Sequence, residues 1–132
     1  MIYGFSLNYI GTKALYKLKL LDCCYIVYSN NIDHYLNMLL HDQPEFILGL
    51  GGYSGGQQND IKVEAFSKPL NEANYSPKFG NALCSLISWK ITQLINQKTL
   101  RSKYAYLHIP STTPLNKIVL TIEEILKESQ KI

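Results

Sequence analysis

The sequence has no apolar run near the roughly 18 residues that a membrane-spanning helix requires. It has no cluster of lysine and arginine. Thirteen basic against ten acidic side chains leave a net charge of +3, which argues against dedicated nucleic-acid binding. Cysteine is scarce. Cys23, Cys24 and Cys84 are odd in number and show no CxxC spacing, so a disulfide framework or a zinc knuckle is not expected. Reduced thiols suit a cytoplasmic protein. The opening MIYGFSLNYIGT lacks the basic start and long apolar stretch of a signal peptide, which fits the same expectation. The ten tyrosines are dispersed and form no repeat. What is present is apolar: 46% of 132 residues. A single domain over 1–132 of that length buries about two-thirds of its unfolded surface and needs no metal or disulfide to hold a core.

Ile2–Phe5 is a short apolar run and a first strand. Gly11–Leu21 carries Leu15, Leu18 and Leu21 at spacings of three, a short helix. Cys23–Tyr28 (CCYIVY) is a continuous β-prone run, a buried strand. Ser29, Asn30 and Asn31 offer caps for the helix marked by Ile32, Leu36, Leu39 and Leu40, which ends before Pro44. Phe46–Leu50 is another buried strand, and GGYSGGQQND after it reads as loop. Ile61–Phe66 alternates like a strand, and Ser67–Gly80 is irregular. Leu83–Ile95 is the strongest helix, with Leu83, Leu86, Ile87, Ile91, Leu94 and Ile95 on one face. Tyr104–Ile109 is a strand. Thr113 as cap and Pro114 at the first helical position open a last helix that buries Ile118, Ile122, Ile125 and Leu126.

Strands alternating with helices predict an α/β sandwich with a largely parallel sheet. Ligands bind such sheets beyond the carboxyl ends of the strands. Glu64 and His108 lie near strand ends and Cys84 lies just inside a helix, so the three are expected in one cleft. With Asn81 as N-cap, Cys84 sits in the first turn, where free N–H groups and the helix dipole favour a thiolate and an oxyanion. The competing reading of Cys84 is a small buried hydrophobe. His108 interrupts the apolar strand YAYLHIP, and a polar ring there needs partners. A cysteine nucleophile needs a base, and the base benefits from an orienting carboxylate. Glu64 read alone fits the solvent face of an amphipathic strand. His34 and His41 read as solvated.

Two patterns compete. GLGGYSGG is glycine-rich like a phosphate loop, but no lysine and no helix follow it. Gly52-Tyr53-Ser54-Gly55-Gly56 matches G-x-S-x-G, with Glu64 and His108 after it in serine-hydrolase order. That elbow should open a helix, and QQNDIKVEAF is not one, so a Ser54 hydrolase ranks lower.

Four patches, PEFILGLGGYSGG, IKVEAF, NALCS and KYAYLHIP, together resemble the pyroglutamyl-peptidase (pyrrolidone-carboxylate peptidase) family of cysteine peptidases. That family has a Pro-Asp strand running into a Gly-rich turn, a Glu in the strand after it, a Phe-Val-Cys-Asn helix start and a Phe-Ile-His-Val-Pro strand. The order Glu, Cys, His and the 24-residue step from Cys84 to His108 are similar to the family's. MIYGFS is similar to its N-terminal Gly-Phe start, with Gly4 and Phe5 retained. The resemblance implies a trimmed three-layer α/β/α sandwich of the phosphorylase/hydrolase-like kind. It implies a triad of Cys84, His108 and Glu64 that removes an N-terminal pyroglutamyl or related group through a thioester. It implies no cofactor and no metal. Phe5, Gly52, Tyr53, Ala82 and Leu83 then fall at substrate-binding positions.

Several of those positions differ from the family. Only 19 residues separate Glu64 from Cys84, so a strand and a helix look deleted. The turn's Gln falls at Gly52, and its Arg falls near Gly56 or Gln57. The Phe two before the nucleophile becomes Ala82, and the Asn after it becomes Ser85. Asn8 or Tyr9 stands nearest the second aromatic of the N-terminal loop. The expected partner is a peptide or small acyl-amide substrate, with no nucleic acid and no membrane; self-association is left open. Weak or absent pyroglutamyl-peptidase activity is expected. A non-enzymatic remnant of the family is the alternative.

Overall fold

Four of the apolar runs become neighbouring parallel strands, and one alternating run closes the edge. In the computed structural model these are β1 (Ile2–Gly4), β2 (Cys24–Ile26), β3 (Phe46–Tyr53), β4 (Lys62–Ala65) and β5 (Lys103–Pro110). The helices are α1 (Ile10–Lys17), α2 (Ile32–Asp42), α3 (Leu83–Asn96) and α4 (Leu115–Ser129). The structure describes residues 1–6, 9–20, 23–53, 61–65, 83–110 and 112–129, and at 53, 62, 64, 65, 83–85 and 129 it describes the backbone alone.

The sheet order is β2-β1-β3-β5-β4. β1 pairs in parallel with β2 and β3, β3 with β5, and only β4 runs antiparallel, against β5. Right-handed crossovers explain the layers. The chain steps one way from β1 through α1 to β2 and the other way through α2 and α3, so the helices cover opposite faces. On one face Tyr35 and Leu39 of α2 and Ile87 and Ile91 of α3 pack with Tyr3, Ile47, Tyr104 and Tyr106. On the other, Ala14 and Leu15 of α1 and Ile118 and Ile122 of α4 pack on Leu48, Leu50, Leu107 and Ile109. The protein is thus the expected α/β sandwich. Among the described residues no helix is long and apolar enough to cross a membrane.

Several local expectations are corrected. The strand at Phe46 does not stop at Leu50; it continues through Gly51 and Gly52 to Tyr53, paired with β5 along its whole length. Its glycines make room for tyrosines. A Cβ at Gly49 would stand 2.6 Å from Tyr3 and Tyr106, and one at Gly51 would stand 1.6 Å from the Tyr106 hydroxyl. The alternating run does form β4, at the sheet edge, where Val63 is 50% exposed. Asn31 does precede α2, but its side chain makes no cap; it accepts from Tyr28 N–H and donates to the Ile26 carbonyl. Thr113 is no cap either, because its hydroxyl is buried with no partner among the described residues. The Pro114 carbonyl accepts the first α4 bonds, from Lys117 and Ile118.

Candidate functional site

A parallel sheet whose chain steps both ways from β1 and β3 has its crevice beyond the carboxyl ends of those two strands. Phe5 follows β1 there. Its half-buried ring meets Tyr3 edge-on at 5.8 Å. Gly52 and Tyr53 end β3, paired with Ile109 and Pro110 of β5. Gly52 is exposed. His108 sits one pair earlier, opposite Gly51, so Phe5, Gly52, Tyr53 and His108 belong to one end of the sheet.

His108 is half-buried. Side chains alternate along a strand, so Tyr104, Tyr106 and His108 share a side of β5. Tyr104 and Tyr106 are buried in the cluster that α3 covers. The His108 ring meets Tyr106 edge-on at 4.7 Å, a contact that steadies it over that side.

Position 64 enters this side by register. β4 pairs Glu64 with Tyr106 and Lys62 with His108. Opposed positions of an antiparallel pair lie on the same side of the pleat, and diagonal ones are about 7–8 Å apart. Position 64 is diagonal to His108.

Cys84 is the second residue of α3. A six-residue connection, 97–102, turns the chain from α3 into β5, so the helix runs opposite to the strand. Ser88 registers the two. It is buried, and its hydroxyl lies 2.9 Å from that of Tyr104. Tyr104 in turn shares a hydrogen bond with the Tyr3 hydroxyl, in a chain of buried hydroxyls. Four helical residues rise about 6 Å, and two strand residues about 6.6 Å. One turn before Ser88, position 84 therefore lies farther toward the carboxyl end of β5 than Ser88 does.

Ser88 and Tyr104 were not among the expected site residues, although the sequence carries a signal for Ser88. Ser88 and Thr92, four residues apart, are polar positions buried on the inner face of an apolar helix. Tyr9 is a second addition. Its hydroxyl donates to the Ile109 carbonyl and lies 3.3 Å from the Gly51 carbonyl. Burial pushes its phenol up to about 12.

Ala82 and Ser54 lie outside the described residues. Leu83 opens α3. His34 and His41 are exposed, as expected; His41 contacts only its neighbour Asp42 among the described ion pairs. Cys23 is exposed and Cys24 half-buried, both as free thiols. Burial first, and the neighbouring Cys23 second, push the Cys24 thiol up to about 11. A groove of about 350 Å³ lined by Leu18, Leu20, Glu123, Leu126 and Lys127 opens where α1 and α4 end, away from the strand carboxyl ends. Among the described residues no three His, Cys, Asp or Glu side chains group to hold a metal. Comparison with protein-family models, with curated proteins and with solved structures finds no match.

Proposed function

We propose that this chain is a cysteine peptidase-like protein of the pyroglutamyl-peptidase type. Cys84 sulfur attacks the carbonyl of an N-terminal acyl amide. His108 accepts the thiol proton and delivers it to the leaving amine, and Glu64 orients the imidazole. Backbone N–H groups in the first turn of α3 hold the oxyanion. Water then attacks the thioester, His108 takes its proton, and the acid and the thiol are released. The observation that carries the reading is the Ser88–Tyr104 hydrogen bond, which registers α3 on the strand that carries His108. The pairing of β4 with β5 supports the role of Glu64. The substrate is a pyroglutamyl or related acyl amide in a peptide or small molecule, met in a cytoplasmic setting by reduced thiols.

The rebuilt substrate positions set the expected rate. Gly52 is exposed and offers no side chain to read a ring amide. A site built on such contacts loses much of its discrimination when they go. The test is fluorophore release from a pyroglutamyl amide, with Cys84→Ala and His108→Ala as controls. Weak turnover abolished by either substitution is the expected result. No turnover, with an inert Cys84 thiol, would overturn the peptidase reading in favour of a non-enzymatic fold. Turnover that survives Cys84→Ala would overturn the nucleophile assignment.

A further inference from the structure

Tyr9 stands just before α1, where the chain crosses from β1 over the carboxyl end of the sheet. It is held on its own side. Its carbonyl accepts from Lys13 N–H at 3.1 Å and from the Thr12 hydroxyl at 2.6 Å, and the same Thr12 hydroxyl lies 2.8 Å from the Ser6 carbonyl. Across the gap its hydroxyl reaches the carbonyls of Ile109 and Gly51. Gly51 pairs with His108 and Gly52 with Ile109, so one of these carbonyls belongs to the rung that carries His108 and the other to the next rung. The ring lies over Gly52, 3.5 Å from where a Cβ would stand. Strand ends open readily, and a half-buried hydroxyl set against carbonyls near the ends of two neighbouring strands opposes that opening.

We infer that Tyr9 is a positioning residue: its hydroxyl ties the carboxyl ends of β3 and β5 together and so fixes the height and angle at which His108 meets Cys84. The inference rests on the cysteine–histidine reading of the site. A phenol that stays protonated through the neutral range suits this task, because its donor role does not change with pH there.

Tyr9→Phe is the test, since it keeps the ring over Gly52 and removes only the donor. Two readouts separate the inference from the reading beneath it. The first is nuclear magnetic resonance: the His108 Cε1–H signal and the exchange rates of the Gly52 and Ile109 amides. The second is alkylation of Cys84 by iodoacetamide between pH 6 and pH 10, resolved by peptide mass spectrometry, with exposed Cys23 in the same chain as reference. In Tyr9→Phe the exchange should quicken roughly fivefold and the His108 signal should broaden, as the loss of one hydrogen bond implies. Cys84 alkylation should fall roughly tenfold at pH 6 and stay unchanged at pH 10, where the thiolate no longer depends on His108. Tyr28→Phe, at an exposed tyrosine, should move neither. An unchanged His108 signal and unchanged exchange would overturn the positioning role whatever Cys84 does. Quickened exchange with an unchanged alkylation profile would overturn it too, because Tyr9 would then hold the strands without tuning the site. A wild-type Cys84 no faster than Cys23 at pH 6 would instead overturn the peptidase reading, and the magnetic resonance arm alone would then decide Tyr9.

Discussion

Gly51 is the residue whose role in this protein is least visible from its neighbours in the chain. A single methyl there would stand 1.6 Å from the Tyr106 hydroxyl, and Tyr106 is 2% exposed, so its ring has nowhere to go. Overpacking of this kind costs about 1–3 kcal/mol. Gly51→Ala should therefore lose about 2 kcal/mol or more in urea unfolding. Gly52→Ala is the contrast: its nearest atoms would lie at 3.5 Å, and the change should stay within about 0.5 kcal/mol. Equal losses at the two positions would contradict this account. In sequence the same glycines read as the start of a loop, because glycine is common in loops and depleted in strands. Their strand role depends on tyrosines brought in from β1 and β5, which no local window contains. The hydroxyl of Thr113 and the side chain of Asn31 mislead in the opposite sense. Both residue types cap helices, but one is buried without a partner among the described residues and the other serves the turn after β2.

Elements were legible where periodicity is strong, and their mutual register was not. The apolar face of α3 was readable from Leu86, Ile87, Ile91, Leu94 and Ile95, all of which join the cluster over β5 or pack against it. Its height on the sheet is set by the Ser88 hydroxyl against Tyr104, 16 residues away. Ser88→Ala should cost about 1 kcal/mol in denaturant unfolding, the net value of one hydrogen bond, since Tyr104 keeps its bond to Tyr3. It should also slow Cys84 alkylation at pH 6 by loosening the first turns of α3. A stability loss with no change at Cys84 would show that Ser88 only packs. The end of α2 makes the same point. Pro44 announces the stop, but the cap is Gln43, in a left-handed conformation with φ 45°. Its amide donates to Leu40 and Thr99 carbonyls, and its oxygen accepts from Arg101 N–H. Those last bonds join α2 to the segment before β5 across more than 50 residues, beyond any sequence window.

At the scale of the whole molecule, the layered α/β class followed from alternating strands and helices, and the antiparallel edge strand did not. A short alternating run pairs equally well either way. The dispersed tyrosines also converge only in three dimensions. Tyr3, Tyr35, Tyr104 and Tyr106 are all fully or almost fully buried. Burial is the main cause that raises the Tyr3 and Tyr35 phenols well above their ordinary value and Tyr9 to about 12. In the unfolded chain these groups ionise near pH 10. Above that value the unfolded state has released protons that the folded state still holds, so stability falls as pH rises. Cys24, raised to about 11, adds to the loss from about pH 9 upward. The urea midpoint should drop between pH 8 and pH 11, and a constant midpoint would contradict the buried-tyrosine core. The catalytic claim rests on one thiol, and its reactivity tests it most directly. Iodoacetamide labelling of the native chain at pH 6, read at each cysteine, should find Cys84 at least roughly tenfold faster than the exposed Cys23, with the advantage lost in His108→Ala. A Cys84 that labels no faster than Cys23, or that keeps its rate without His108, would contradict the account.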